Sequence, residues 1–334
     1  MSNLENHSKT NFYDNIISIL KDARNNIIQT INHKMVYTYY EIGRLIVEEE
    51  QKGKLRAKYG AELIKKLSNK LTEEFGKGFS VTNLKQMRSF YSIYQKGQTS
   101  SDHFKLSWSH YLLLMRIDNV EERSFYEIEA IENNWSLREL QRQFDSALFE
   151  RLTLSRNKNE IQELSKKGQI IETAKDSLKD PYILEFVGLP ENNKYSESDL
   201  EQGLIDKLEN FLLELGKGFT FVGRQVRFTF DEEHFRVDLV FYNRILKSFV
   251  LIDLKIGKLT HQDLGQMQMY VNYYDRFVKL DDENKTIGII LCKDKKDTLI
   301  EITLPENNNQ IFASKYQTVL PSKKDLRQLI ENKE

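Results

Sequence analysis

The chain has 334 residues, 40% hydrophobic and 30% charged, with 49 Lys and Arg against 50 Asp and Glu. That length allows two domains with separate cores, and the near-zero net charge excludes a histone-like coating of nucleic acid but not a localised groove. The single cysteine, Cys292, allows no disulfide within one chain, and with a polar start and no apolar run of about 18 residues the expected setting is cytoplasmic, away from membranes.

Residues 11–150 read as helices throughout, with three-to-four apolar spacing over 12–31, 35–51, 61–75, 82–94, 108–115, 120–133 and 137–148. Ser80, Ser107, Asp118 and Ser136 stand where N-caps are expected. Between residues 52 and 96 there are eleven basic residues and three acids, a local charge of +8 in a neutral protein. That window holds a helix, the turn GKGFS and a second helix, which is the layout of a helix-turn-helix. Lys65, Lys66, Lys77, Asn83, Lys85, Gln86 and Arg88 are the residues expected to meet phosphates and base edges. A solvated lysine-rich surface is the plainer reading. Trp108, Tyr111, Phe125, Tyr126 and Trp135 fit either a core or a partner-docking face.

This all-α region is taken as 1–155, followed by a connector over 156–190 with one helix near 158–167. From 191 to 334 the pattern becomes α/β. A helix over 197–215 precedes strands over 219–230, 235–242 and 248–256, a helix over 261–275, a strand over 286–292, a helix over 295–303, a strand over 310–314 and a closing helix over 322–331. The tetrapeptide GKGF recurs at 76–79 and 216–219, each time after a helix, where glycine is expected as a C-cap.

The informative stretch is 234–256. The strand with Val250, Leu251, Ile252, Leu254 and Ile256 is apolar on both faces, so it reads as central and covered on both sides. Asp238 on one strand and Asp253 and Lys255 on the next are costly in such a place unless paired or bound to a metal. Asp253 and Lys255, two apart, share a face, and a hairpin turn at 242–247 brings Asp238 beside Asp253. Two carboxylates with the Leu254 carbonyl form a donor set suited to Mg²⁺, with Mn²⁺ as a substitute. Lys255 is placed to position or activate a water, or to offset charge on a phosphate.

Asp238, a fourteen-residue gap and then Asp253-Leu254-Lys255 resembles the PD-(D/E)XK nuclease signature. The surrounding FYNRILKSFVLIDLKIGKLT, the segment GRQVRF and the helical N-terminal half are similar to YhcG-type members of that superfamily. Two departures stand out: Val237 replaces the family's proline, and the second acid is Asp rather than Glu. The resemblance implies a restriction-endonuclease-like fold, a mixed sheet flanked by helices, and hydrolysis of DNA phosphodiester bonds. It further implies Glu201 as an additional carboxylate near the ion, and Gln266 with Tyr270 as a QxxxY pair like that of the RecB-like subgroup, sharing one helix face. Each has a plainer reading, respectively a helix-start acid and a core stripe. Thr260 and Asp263 read as a capping box, with His261 on the surface. Two other uses of such a chain are a silent nucleic-acid adaptor that keeps the fold and a dimeric, structure-specific resolvase.

Overall fold

A computed structural model describes residues 2–52, 57–95, 104–154, 158–190, 195–322 and 326. The chain divides into two compact units, Met1–Gln141 and Arg142–Glu334. The expected closing helix at 322–331 lies outside the described residues apart from Ser322 and Leu326, as do positions 53–56 and 96 of the basic window.

The first unit is helical. Its first helix, α1 (Ser2–Lys52), is continuous where two helices were expected. Asn32-His33-Lys34 contains neither proline nor glycine, so a dip in apolar spacing does not break the backbone ladder. The next helices are α2 (Ala57–Phe75), α3 (Val81–Tyr94), α4 (Trp108–Leu114), α5 (Val120–Glu132) and α6 (Leu137–Asp145), whose last turn enters the second unit. Leu84, Met87 and Phe90 of α3 are fully buried. At Gly43 of α1 an added Cβ would lie 2.1 Å from the Met87 carbonyl oxygen, so α3 crosses α1 at backbone distance. Tyr111, Phe125 and Tyr126 are also fully buried, which makes them packing residues.

The second unit continues with α7 (Leu148–Leu154) and α8 (Lys158–Lys167) and is built on a six-stranded sheet. Its strands are β1 (Tyr182–Ile183), β2 (Phe219–Phe230), β3 (Glu233–Asn243), β4 (Ser248–Lys258), β5 (Ile287–Asp294) and β6 (Ile311–Gln317), in the order β1-β6-β5-β4-β3-β2. β2, β3 and β4 pair antiparallel; β4, β5, β6 and β1 pair parallel. The apolar runs of β4 and β5 are central, as expected. One face carries Leu239, Phe241, Val250, Ile252 and Leu254 against α9 (Glu197–Asp206) and α10 (Leu208–Leu215). The other carries Val240, Leu251 and Ile290 against Leu264, Met267 and Val271 of α11 (His261–Phe277). The short helix α12 (Asp297–Thr303) joins β5 to β6.

The expected helix over 197–215 is broken at Lys207, whose ψ of 35° separates α9 from α10. The segment 156–190 is part of the second unit rather than a connector. Tyr182, Ile183 and Leu184 are fully buried, and β1 adds a parallel edge to β6. A two-residue strand carries no readable period, which hid it in the sequence. The GKGF glycines behave as expected: Gly76 and Gly216 have φ of +79° and +104°, and each donates its N–H to a helix carbonyl four residues back.

Candidate active site

The Asn243 side chain ties the β3–β4 turn, donating to the Lys217 carbonyl at 3.0 Å and accepting from Ile245 and Leu246 N–H at 3.0 and 3.1 Å. Regular pairing then runs from Asn243↔Ser248 to Leu239↔Ile252. The next rung would join Asp238 to Asp253, and there the ladder opens. Val237 and Val240 both pack on the α11 side, so the alternation of β3 breaks at Asp238.

The Asp238 carboxylate fills the opening. Its Oδ2 accepts the Leu254 N–H at 2.9 Å, and its Oδ1 accepts from Gln225 Nε2 at 3.0 Å. Gln225 lies between the pairs Arg224↔Leu239 and Val226↔Val237, so it stands across from Asp238, with φ of +48°. The same amide donates to Glu201 Oε2 at 2.5 Å. Glu201 is thus brought to Asp238 through a glutamine bridge, and its other oxygen lies 3.5 Å from Arg224. Burial, helped by the Asp238 charge, raises the Glu201 pKa despite Gln225 and Arg224.

Asp253 differs. Its side chain is 5% exposed, and its Oδ2 lies 2.9 Å from Lys255 Nζ, its ion partner. Burial and then the Asp238 charge push its carboxyl up to about 7, against the pull of Lys255. Burial draws the Lys255 ammonium down, but Asp253, Glu197 and Asp263 more than offset this and its pKa is raised. Lys255 is therefore held as the cationic partner of Asp253. Asp263 serves twice, lying 3.9 Å from Lys255 and closing the capping box with Thr260. His261 is exposed, as expected. Gln266 Nε2 donates to the Tyr270 hydroxyl, which donates to the Arg236 carbonyl at 2.9 Å. Burial raises the Tyr270 pKa, with Asp253 and Asp238 adding to it, so the ring lies within their field.

The donor set fits a divalent cation in its chemistry: two neighbouring carboxylates, one of them raised in pKa by its burial and by the charge of the other, and a strand carbonyl at Leu254. Among the described residues no three His, Cys, Asp or Glu side chains are already gathered around one point. Gln225 is the reason for Glu201 and Asp238, since its amide lies between their oxygens. The sequence reading gave Gln225 no role, although it lies within GRQVRF; its placement depends on the local backbone, which composition does not encode.

In the first unit, Lys65, Lys66, Lys77 and Lys85 are exposed and Gln86 is half-buried. Two of the expected contacts are engaged within the unit. Asn83 donates to the Gly78 carbonyl and accepts from Trp108 Nε1 at 3.2 Å, and Arg88 pairs with Glu50 at 3.0 Å. Ser80 caps α3 by accepting the Asn83 N–H at 3.2 Å.

A mixed sheet covered by helices, with two acids and a lysine where an antiparallel hairpin opens beside a parallel strand, defines a PD-(D/E)XK nuclease domain. Residues 175–331 match the YhcG PDDEXK nuclease domain, and residues 15–151 match the DUF1016 N-terminal domain. The protein of Escherichia coli (strain K12) named "Putative nuclease YhcG" is 38% identical over 344 residues, spanning 94% of this chain and 91% of that one. The chain belongs to the YhcG family of PD-(D/E)XK nucleases. Two solved structures, a repair endonuclease from Pyrococcus abyssi and EndoMS in apo form, show slight and partial likeness. They share 16% and 14% identity over 39% of this chain and 50% and 48% of theirs, each with a TM-score of 0.25. Among the described residues no helix is long and apolar enough to cross a membrane.

Proposed function

We propose that the protein is a Mg²⁺-dependent DNA endonuclease whose helical N-terminal region is its recognition module. The observation that carries this reading is Asp253, a buried carboxylate beside Asp238, the two acids having the single cation Lys255 at 2.9 Å from Asp253 Oδ2. Asp238, Asp253 and the Leu254 carbonyl would hold the cation, which when bound supplies charge neutralisation for the phosphate. Mn²⁺ would substitute for it. Glu201 is set back by Gln225 and supports the shell through that amide rather than by direct ligation. Lys255, an ammonium at neutral pH, orients the attacking water and offsets charge on the non-bridging phosphate oxygens. Tyr270 and Gln266 fix the approach of β3 by holding the Arg236 carbonyl.

Purified protein incubated with linear, branched and single-stranded DNA, with and without Mg²⁺, tests the activity. Asp253→Ala and Lys255→Ala should each lower Mg²⁺-dependent cleavage at least about 10²–10³-fold with the circular dichroism spectrum unchanged. Wild-type cutting by either folded variant would refute the assignment. For the recognition module, Lys65→Glu with Lys85→Glu should weaken DNA retention and flatten its salt dependence. Identical retention across a salt series removes that role from α2 and α3.

A further inference from the structure

The hairpin of β2 and β3 extends beyond the acid cluster, and one of its faces carries two arginines that none of the described residues neutralises. Arg227 and Arg236 are register partners across the hairpin and both are exposed. Like charges directly opposite one another on a sheet are destabilising. Among the described residues, neither guanidinium makes a hydrogen bond or an ion pair. Arg224, three positions earlier, shows the contrast: it donates to Gln202 Oε1 at 2.9 Å and lies 3.5 Å from Glu201.

The pair rests on a stiff base. Val226, Phe228, Phe235 and Val237 pack on the α11 side, so alternation turns Arg227 and Arg236 to the other face. Phe228 stacks on Phe235 and on Tyr273 of α11, with ring centroids 5.5 and 4.1 Å apart. The Arg236 carbonyl accepts the Tyr270 hydroxyl at 2.9 Å. Arg236 precedes Asp238 by two residues, about 7 Å of strand. A repelling pair of cations held this firmly is stabilised by an anion. Its reach is short, because the hairpin tip carries Asp231, Glu232 and Glu233.

We infer that Arg227 and Arg236 form a binding step for one phosphodiester of the DNA strand, beyond the acid cluster on the sheet face turned away from α11. Two planar guanidinia on adjacent strands match the oxygens of a single phosphate better than scattered lysines do. The inference rests on the nuclease reading for its substrate, and the test reads binding and cutting separately.

Full-length wild type and Arg227→Gln/Arg236→Gln are titrated without Mg²⁺ against a fluorescent DNA duplex over a salt series, then assayed for cleavage with Mg²⁺. The double variant should bind about 10-fold or more weakly at low salt, and its slope of log K against log salt should fall by about 1. Its KM should rise by more than its kcat falls. Its thermal midpoint should hold or increase, since a repulsion is removed, which separates lost contact from lost fold. Unchanged affinity and slope overturn the inference, as does a wild type that binds no duplex. A parallel RNA duplex checks the sugar: a loss on RNA with none on DNA overturns the assignment to DNA. If wild type binds DNA but never cuts it, the nuclease reading fails, while the binding difference still decides the arginine pair.

Discussion

Two buried carboxylates in the second unit, Glu214 and Asp253, are almost equally withdrawn from water, with side chains 0% and 5% exposed. Their partners differ. Glu214 Oε1 accepts from Arg151 at 2.5 Å and from the Ile183 N–H at 2.9 Å, and Arg142 lies 3.6 Å from Oε2. Burial pushes the Glu214 pKa up, but Arg151, Lys179 and Arg142 outweigh it and the net shift is downward. Asp253 has one cation and a neighbouring acid, and its pKa goes to about 7. Burial alone therefore does not mark a functional acid. Glu214 is compensated from within the protein and joins α7, α10 and β1; Asp253 is left short of positive charge, as a site awaiting a cationic ligand would be.

After the loss of cleavage expected for Asp253→Ala, the next largest effect should come from the other acid. Arg151→Ala leaves Glu214 buried without its main partner and should cost about 3–5 kcal/mol, read from urea unfolding. A cost below about 1 kcal/mol would erase the distinction between the two sites. Their pH responses should also oppose each other. The folded Asp253 pKa is raised from 3.8 to about 7, so the metal-free protein should lose stability as pH climbs through that interval. Asp253→Asn should flatten that loss. The Glu214 pKa is depressed, so its contribution is present above the ordinary glutamate pKa and disappears as pH falls through the folded value. Unfolding midpoints from about pH 2 to 8, with and without Mg²⁺, would show both limbs, and saturating Mg²⁺ should remove the upper one. The smallest effect should be Tyr270→Phe, which deletes the hydrogen bond to the Arg236 carbonyl. A loss of about 1 kcal/mol, appearing as a several-fold slower cut, would mark Tyr270 as a positioning residue; an unchanged rate would leave it a core residue.

The parts legible in the sequence were those with a local signature. The strand pattern around Asp238 and Asp253, the capping box at Thr260 and Asp263 and the GKGF caps all follow from spacing along one element. The misses fall where distant segments meet. Residues 156–190 read as a connector, yet Tyr182 and Ile183 extend the sheet by pairing with the edge of β6. Asn83 and Arg88 carry suitable groups for nucleic acid, but Trp108 and Glu50 reach them from other helices.

Residue order by itself determined that two acids and a lysine would share a largely apolar pair of strands, because side chains alternate at a period set by covalent geometry. Only the tertiary structure decided that Gln225 would stand across from Asp238 and bridge it to Glu201, and that Arg227 would oppose Arg236. Register and backbone irregularity depend on how whole strands settle against one another, and no single segment carries that information.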